Sequence, residues 1–203
     1  MLLIKQYMVC LMLLSAMDGC YNWEFPMVDE QNQNTSSKAE NEQSQEQSAT
    51  ATFAGGCFWG TEYVFQQVPG VESTAVGFMG GRVDNPTYKQ ICYTDTNHAE
   101  VVQLRYDPEK ISYEKLVKVF FKTHDPTTLN RQGPDVGNQY RSAIFYHSQE
   151  QEIKANESKK TLEADKKYPN PVVTEIIPPK TFYPAEDYHQ KYFKKRGISH
   201  CKI

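Results

Sequence analysis

One short motif combines a potential nucleophile with the backbone freedom that such a group needs. Cys57 lies in the hexapeptide Gly55-Gly56-Cys57-Phe58-Trp59-Gly60. The glycines allow a sharp turn and the close approach of a ligand, and unpaired N–H groups at the start of a helix favour a thiolate. Two aromatic side chains beside the sulfur could line a small apolar slot. We therefore predict a reactive cysteine at a strand-to-helix junction; the alternative is a buried cysteine between core aromatics.

A second candidate is a carboxyl group placed where it can stay protonated near neutral pH. Residues 99–106 alternate as a strand does, which puts Glu100 on the same face as Val102 and Leu104. Burial disfavours the charged form, so the pKa of this carboxyl should rise, and a neutral carboxyl can donate a proton. Glu100 is thus a candidate general acid; the alternative is a strand-end glutamate that reaches solvent.

The cysteine spacing and the composition exclude several classes of protein. The five cysteines are too scattered for a disulfide-dense scaffold and lack the C-x-x-C spacing of a zinc site: Cys10, Cys20, Cys57, Cys92 and Cys201. A mean hydropathy of -0.66 argues against a protein with several membrane spans. Residues 50–203 hold 20 basic and 18 acidic residues, a balance that gives no electrostatic reason to bind nucleic acid.

Strands and helices alternate along the second part of the chain. The length of 203 residues suits one ordinary domain with appendages. Ser112 is a predicted N-cap, since Leu116 and Phe120 then stack at i, i+4. Strands are predicted over 50–54, 71–77, 99–106, 142–147 and 172–177, and helices over 57–67, 113–122 and 149–167. This alternation predicts an α/β or α+β domain with a mixed sheet covered by helices.

A polar segment marks the start of this domain. Of the nineteen residues 31–49, sixteen are Gln, Asn, Ser, Thr or Glu. A segment that can bury so little apolar surface cannot offset the entropy lost on ordering. We predict a disordered tether over residues 21–49 and a folded domain over residues 50–203.

The first twenty residues are typical of an export signal. Lys5 precedes an apolar run from Met8 to Met17, which is too short to span a bilayer but suits the core of a signal peptide. Gly19 and Cys20 follow as in the processing box of a bacterial lipoprotein, although Asp18 departs from that pattern. We expect residues 1–20 to be a signal peptide and Cys20 to be lipidated. The protein would then lie in the bacterial cell envelope, lipid-anchored, periplasmic or extracellular; the alternative is a cytoplasmic protein.

Seven sequence blocks, spread over residues 50–195, form one ordered pattern. They are the Cys57 hexapeptide, Gly77-Phe78-Met79-Gly80-Gly81, Asn85-Pro86-Thr87-Tyr88, His98-Ala99-Glu100-Val101-Val102, His124-Asp125-Pro126-Thr127-Thr128, Asp135-Val136-Gly137-Asn138-Gln139-Tyr140-Arg141-Ser142 and Tyr183-Pro184-Ala185-Glu186-Asp187-Tyr188-His189-Gln190. In this order they resemble the A-type peptide-methionine sulfoxide reductases, which act on the S epimer of the sulfoxide. The resemblance implies an α+β fold, a two-layer α/β plait (ferredoxin-like) with a mixed sheet and a long irregular C-terminal tail.

The resemblance also implies a role for each matched side chain. Phe58 and Trp59 match the pocket that receives the S-methyl group. Cys57 matches the nucleophile of the family. Three residues match the groups that hold and protonate the departing oxygen: Tyr88, Glu100 and Tyr140. Asp135 matches a carboxylate that helps to organise the site. Attack on the sulfoxide sulfur would release methionine and leave a sulfenic acid on Cys57, which condenses readily with a second thiol.

Two cysteines could supply that second thiol. We assign the resolving role to Cys201, because it lies beyond Gly197 on a tail that could fold over the site. Cys92 has apolar neighbours, and free cysteines in such settings are usually buried and inert. The sequence Ser199-His200-Cys201 departs from the Gly-Tyr-Cys ending of many family members.

The implied partners are small molecules and proteins. We expect no metal, flavin or nucleotide, and reducing equivalents from thioredoxin or an equivalent dithiol. The substrates would be oxidised proteins, peptides and free methionine sulfoxide, and the protein a monomer that binds no nucleic acid. A cysteine peptidase that pairs Cys57 with His189 is disfavoured, because the Cys-Gly-Ser-Cys pattern and an Asn after His189 are both missing. A non-catalytic, redox-sensing binding module is a further alternative.

Overall fold

The computed structural model describes residues 48–198. The predicted signal peptide with Cys20, most of the predicted tether and the predicted resolving residue Cys201 lie outside the described residues. Within residues 48–198, no helix is long and apolar enough to cross a membrane.

Strands and helices alternate through the described part of the chain. The strands are β1 (Ala49–Gly55), β2 (Val71–Met79), β3 (Ala99–Tyr106), β4 (Arg131–Gln132), β5 (Asp135–Val136), β6 (Ser142–Phe145), β7 (Glu175–Ile177) and β8 (Tyr183–Pro184). The helices are α1 (Phe58–Phe65), α2 (Tyr88–Tyr93), α3 (Tyr113–Phe120), α4 (Gln149–Ala164) and α5 (Tyr192–Lys195), with a 3-10 turn at Asn138–Tyr140.

Six of the strands form one mixed sheet, as the sequence predicts. Their order is β7-β6-β1-β3-β2-β8, and β6 and β7 run parallel while the other neighbours run antiparallel. In the register of β1 and β3, Phe53 lies opposite Val102. The end of β1, which leads to Cys57, therefore lies beside the start of β3, which carries Glu100.

The helices cover one face of this sheet and bury the larger of two apolar clusters. Phe53 and Leu104 from the sheet pack there with Phe65 of α1 and Phe120 of α3, and all four are 0% exposed. Burying one such side chain contributes roughly 1.5–3 kcal/mol to folding. A smaller cluster, which includes Phe145, lies on the opposite face. The rigid layer formed by β1, β3 and α1 is the frame on which the candidate site is built.

Local sequence signals account for the helix starts. The predicted N-cap is confirmed, because the Ser112 hydroxyl accepts the N–H of Lys115. Helix α2 was not predicted, although its signal is readable: Thr87 accepts the N–H of Gln90, whose side chain accepts the N–H of Thr87. This reciprocal arrangement is a capping box. It makes Thr87 the N-cap, so that α2 begins at Tyr88.

Some predicted elements are shorter than expected. The strand predicted over 172–177 is reduced to β7, and the helix predicted over 149–167 ends at Ala164 as α4. The hairpin of β4 and β5 was missed altogether. Asp135 lies in β5, opposite Gln132 of β4.

The tail after β8 is irregular but is tied to the frame by specific hydrogen bonds. The Gln190 side chain accepts the N–H of Val76 and donates to its C=O, so it continues the edge of β2. The buried Glu62 carboxylate of α1 accepts the N–H of Lys191 at 2.8 Å. These bonds place α5 against α1, close to the hexapeptide.

Candidate active site

The predicted strand-to-helix junction is confirmed, and Cys57 is the residue directly before α1. Gly56 has φ +84°, which L side chains rarely adopt, and a Cβ there would lie 2.6 Å from Cγ of Gln132. A Cβ at Gly55 would meet the Phe120 ring at 2.9 Å. Both glycines are therefore needed, because the chain must turn sharply while packed against β4 and α3.

Glu100 is buried on the helix-covered face of β3, as the alternation predicts. It is 2% exposed, and its carboxyl accepts the backbone N–H of Phe58 at 3.0 Å. Burial raises the pKa of Glu100 to about 8, the negative charge of Asp135 adds to the rise, and the Phe58 N–H opposes it. At neutral pH this carboxyl is therefore mostly protonated and can act as a proton donor.

The resting thiol differs from the expectation. We expected the helix start to favour a thiolate, but burial, followed by the Glu100 charge, raises the pKa of Cys57 to about 12. The N–H groups of Trp59 and Gly60 lower it, and the Asp135 charge raises it further. The helix N–H groups thus favour the thiolate as expected, but burial has the larger effect, because two N–H groups do not replace the water that it removes. Below about pH 8 Glu100 is itself neutral, so its repulsion of the thiolate is then largely absent.

Two tyrosines and one aspartate complete the polar part of the site. Burial raises the pKa of Tyr88 and of Tyr140, and the charge of Glu100 raises both further. Tyr140 also responds to the charges of Asp135 and Cys57. The structure thus brings Cys57 together with the four other polar groups to which the resemblance assigns a role. Segments far apart in the chain supply the five groups: the residue before α1, helix α2, strands β3 and β5, and the 3-10 turn.

Phe58 and Trp59 form different parts of an aromatic cluster. Phe58 is 1% exposed, with its ring centroid 6.4 Å from that of Tyr88 and 5.3 Å from that of His189. Trp59 is half-buried, and its ring stacks on Tyr192 of α5 at 3.8 Å with an interplanar angle of 4°. Its Nε1–H donates to Nδ1 of His189 at 3.1 Å. The Phe58 ring is therefore fixed inside the aromatic cluster. The Trp59 ring lies at the partly exposed side of this cluster, where contacts from the tail hold it in place.

Two histidines of the sequence blocks, His98 and His189, have hydrogen-bonding roles. His98 accepts the N–H of Gly81 at Nδ1, and its Nε2 bonds the C=O of Val83. His189 is engaged with Trp59 through Nδ1, and burial lowers its pKa. This engagement gives no support to the cysteine peptidase alternative, which needs the histidine as the base for Cys57.

Sequence reasoning missed two contributors from the tail. Tyr192 stacks on Trp59, and Glu186 accepts the backbone N–H of Tyr88 at 3.1 Å. Each contact joins residues about a hundred or more positions apart, so no local pattern or spacing could have indicated it.

The second thiol of the described residues lies on the border of this site. Cys92 follows Tyr88 by one turn of α2, is half-buried and is a hydrogen-bond partner of the Tyr88 hydroxyl. Burial raises its pKa, so it is a weak nucleophile at rest. Over residues 48–198, no group of three or more His, Cys, Asp or Glu side chains is arranged to hold a metal ion.

Comparisons with known proteins agree with this geometry. The family model described as "Peptide methionine sulfoxide reductase" matches residues 49–203. A peptide methionine sulfoxide reductase MsrA of Methanosarcina acetivorans is 59% identical over 148 residues, which are 73% of this chain and 79% of that protein.

Solved structures show the same likeness. The reduced form of Mxr1 from Saccharomyces cerevisiae superimposes with a TM-score of 0.71 at 37% identity, covering 76% of this chain and 89% of that one. Mxr1 in complex with Trx2 superimposes with a TM-score of 0.51 at 28% identity, covering 72% and 85%.

The electrostatic coupling between Glu100 and Cys57 predicts a pH-dependent thiol reactivity. Above about pH 8 the ionised Glu100 repels the Cys57 thiolate, so Glu100→Gln should lower the pKa of the thiol and speed its alkylation. Near pH 6 the native carboxyl is neutral, and the variant should react like wild type. The measurement is the rate of iodoacetamide modification of the Cys57 peptide, followed by mass spectrometry from pH 6 to pH 9.

Glu62→Gln is the matched control, because Glu62 is also a buried carboxyl on the helix side of the sheet whose pKa burial raises. It does not perturb the pKa of Cys57 and should leave the alkylation profile unchanged. A rate ratio between Glu100→Gln and wild type that is the same at every pH would contradict the coupling.

Proposed function

The chain belongs to the peptide methionine sulfoxide reductase family, and we propose that Cys57 is its nucleophile and Glu100 its proton donor. The chain is an enzyme that reduces methionine sulfoxide to methionine with thiols, and a thioredoxin regenerates it. One observation above all supports the residue roles: a buried carboxyl, protonated at neutral pH, accepts the first N–H of the helix that begins directly after the reactive cysteine.

The proposed first step moves two electrons from Cys57 to the sulfoxide. As the sulfur of Cys57 attacks the sulfoxide sulfur, Glu100 gives its proton to the oxygen, and the proton that the thiol loses restores the carboxyl. The oxygen ends on Cys57 as a sulfenic acid, and methionine leaves. Oxide is a poor leaving group, so protonation is the part of the step that most needs a catalyst.

The remaining roles concern the position of the substrate. Tyr88 and Tyr140 keep their hydroxyl protons throughout the working pH range, because burial raises the pKa of both. They can therefore donate hydrogen bonds to the sulfoxide oxygen, while Asp135 helps to organise the polar groups. The resemblance assigns the S-methyl group to the pocket of Phe58 and Trp59 and implies the S epimer. The half-buried ring of Trp59 offers the accessible aromatic surface, and the buried ring of Phe58 supports it.

The proposed recycling uses a disulfide and an external dithiol. The thiol of Cys201 condenses with the Cys57 sulfenic acid to give a disulfide and water, and a thioredoxin dithiol then reduces that disulfide by exchange. The solved complex of Mxr1 with Trx2 supports a thioredoxin as the donor. This cycle is balanced without a metal, flavin or other prosthetic group, and it needs one copy of the chain, so we propose a monomer without a cofactor.

We also propose that the fold is the two-layer α/β plait, with the helices on one face of the sheet and a long irregular C-terminal tail. The one-sided helix cluster supports this description. The predicted repair substrates are methionine sulfoxide residues in oxidised proteins and peptides, together with the free sulfoxide.

The proton donor predicts a pH profile. The thiol of Cys57 stays neutral from pH 6 to pH 10, so Glu100 is the group that titrates there, and the single-turnover rate should fall as pH rises past about 8. Glu100→Gln should lower that rate by roughly 10²–10⁴-fold and abolish the falling limb. The measurement is release of methionine from each separated sulfoxide epimer by pre-reduced enzyme in excess over substrate, without added reductant.

Cys57→Ser is the reference for this experiment and should show only background release. Turnover of the R epimer, or turnover by Cys57→Ser, would contradict the proposed function. A Glu100→Gln variant within threefold of wild type, with the same pH profile, would move the acid role to a tyrosine or to water.

The resolving role predicts a separation of the two half-reactions. Cys201→Ser should release one equivalent of methionine at the wild-type rate, yet it should fail to turn over with thioredoxin as reductant. Cys92→Ser is the matched control and should keep the full thioredoxin-driven cycle. If Cys201→Ser turns over normally and Cys92→Ser does not, Cys92 is the resolving residue.

For the N-terminal segment we propose export and a lipid anchor on Cys20, supported by the apolar run and the Gly19-Cys20 pair. The intact mass of the membrane-associated protein should show loss of residues 1–19 and a lipid-modified Cys20. Cys20→Ser should release the protein from the membrane fraction, whereas Cys10→Ser should not. An unmodified Met1 terminus on a protein from the soluble fraction would contradict both export and the anchor.

A further inference from the structure

A buried histidine of the tail contacts both aromatic rings to which the resemblance assigns the S-methyl group. His189 is 1% exposed, and its ring centroid lies 5.3 Å from that of Phe58 and 5.5 Å from that of Trp59. The centroids of Phe58 and Trp59 are 6.3 Å apart, and their planes are inclined by 39°. A small movement of the indole therefore changes the space beside Phe58, and His189 is placed to control that movement.

The hydrogen bond between His189 and Trp59 determines which nitrogen of the imidazole carries the proton. The indole Nε1–H can only donate, and it donates to Nδ1 of His189 at 3.1 Å. Nδ1 must present its lone pair, so the neutral ring carries its hydrogen on Nε2. Within residues 48–198, this buried Nε2–H has no hydrogen-bond partner. Burial of an unpaired N–H is costly, so what the imidazole contributes in return is the acceptor for Trp59.

Stacking on Tyr192 leaves one motion of the indole unrestrained. The two rings are nearly parallel, with 4° between their planes and 3.8 Å between their centroids. This contact fixes the plane of the indole, but the indole can still slide or turn within that plane. A hydrogen bond requires the N–H to point at its acceptor, so the bond to His189 fixes the remaining motion.

The same turn of the tail is also fixed to the oxygen side of the site. The backbone N–H of His189 donates to the C=O of Glu186 at 2.9 Å, and the Glu186 carboxylate accepts the N–H of Tyr88 at 3.1 Å. The His189 and Tyr88 ring centroids are 4.3 Å apart. The imidazole therefore has a fixed position from which it can hold the edge of the indole.

We propose that His189 is a positioning residue that limits the size of the group accepted on the sulfoxide sulfur. Its Nδ1 holds the edge of the Trp59 indole, so that the pocket beside Phe58 receives a methyl group and excludes a larger alkyl group. This inference rests on the proposed function, which places the S-methyl group at Phe58 and Trp59. His189 acts through Trp59 and takes no part in proton transfer.

The size limit should depend on pH, because Nδ1 accepts the indole N–H only in the neutral ring. The side chains that face the ring are Phe58 and Trp59 from α1, Tyr88 from α2, and Tyr188 and Glu186 from the tail. The two tyrosines stay neutral in acid, since burial raises the pKa of both. Burial lowers the pKa of His189, and the charge of Glu186 opposes this change. The ring is thus neutral at pH 7, and in acid both nitrogens carry hydrogen and the indole is released.

The first experiment compares two substrates that differ by one methylene. They are N-acetyl-methionine (S)-sulfoxide and N-acetyl-ethionine (S)-sulfoxide, with dithiothreitol as the reductant. Near neutral pH, wild type should prefer the S-methyl substrate by at least about tenfold in kcat/KM, within the range known for one methylene. His189→Phe keeps an aromatic ring without an acceptor and should reduce this preference by about fivefold, the effect of one hydrogen bond. His189→Asn, whose side-chain oxygen can take the place of Nδ1, should restore it.

Acid should have the same effect on wild type as the His189→Phe substitution. The methyl preference should be constant above about pH 6.5 and fall in more acidic solution, whereas in His189→Asn it should not change with pH. The matched control is His147→Phe, because His147 also has a pKa that burial lowers but its Nε2 bonds Thr52 at 2.8 Å. This control should keep both the preference and its pH dependence. A fall in acid that persists in His189→Asn would contradict the role of His189 and assign the effect to another group, such as Glu62.

The second experiment observes the hydrogen bond without turnover. The chain has two tryptophans, Trp23 and Trp59, so Trp23→Phe leaves one indole N–H signal in the ¹⁵N-labelled protein. Near neutral pH, exchange of this hydrogen with water should be about fivefold faster when His189→Phe is added. His189→Asn should keep the slow exchange.

Three results would overturn the proposal. They are a methyl preference that His189→Phe leaves unchanged, an equal loss of kcat/KM for both substrates, which would indicate a general structural role, and an indole exchange rate that does not depend on His189. If His189→Phe does not fold, the pH dependence of wild type and His189→Asn decides the same question. If wild type reduces neither sulfoxide, the proposed function fails, and the exchange rate alone decides whether His189 holds Trp59.

Discussion

The buried carboxyl of Glu100 is the constraint on which the site depends. A carboxyl that is nearly out of contact with solvent is costly when ionised, and it needs a hydrogen-bond partner even when neutral. The first turn of α1 offers unpaired N–H groups, and the Phe58 N–H meets this need at 3.0 Å. The same bond ties β3 to the start of α1, so the requirement of one buried acid also determines where Cys57 lies.

Burial raises the pKa of both reacting groups, but this helps the reaction at Glu100 and hinders it at Cys57. For Glu100 it produces an acid that still holds its proton at neutral pH, whereas for Cys57 it opposes the thiolate that would attack. A resting site with two neutral groups avoids the repulsion of two adjacent negative charges. The thiol must then lose its proton during the reaction itself, and this fits a step in which the acid gives up a proton at the same moment.

The rest of the fold carries side chains to this pair. The β4–β5 hairpin supplies Asp135 and packs Gln132 against Gly56, which explains why no side chain fits at that glycine. The tail, held by Glu62 and Gln190, puts Tyr192 on Trp59. The position of the Trp59 ring therefore depends on the attachment of the tail. The same tail continues in sequence toward Cys201.

Periodic and local patterns were enough to predict the frame of the site. The two-residue alternation placed Glu100 on the buried face, the glycine pair placed Cys57 at a strand-to-helix junction, and Ser112 marked the start of α3, because each signal acts within a few residues. The resemblance of seven ordered blocks then indicated the family. Only the tertiary structure decided the neutral state of the thiol, the position of Asp135 in a strand and the stacking of Tyr192 on Trp59. Those properties depend on how much water burial removes and on contacts between distant segments, and neither has a signature in local sequence.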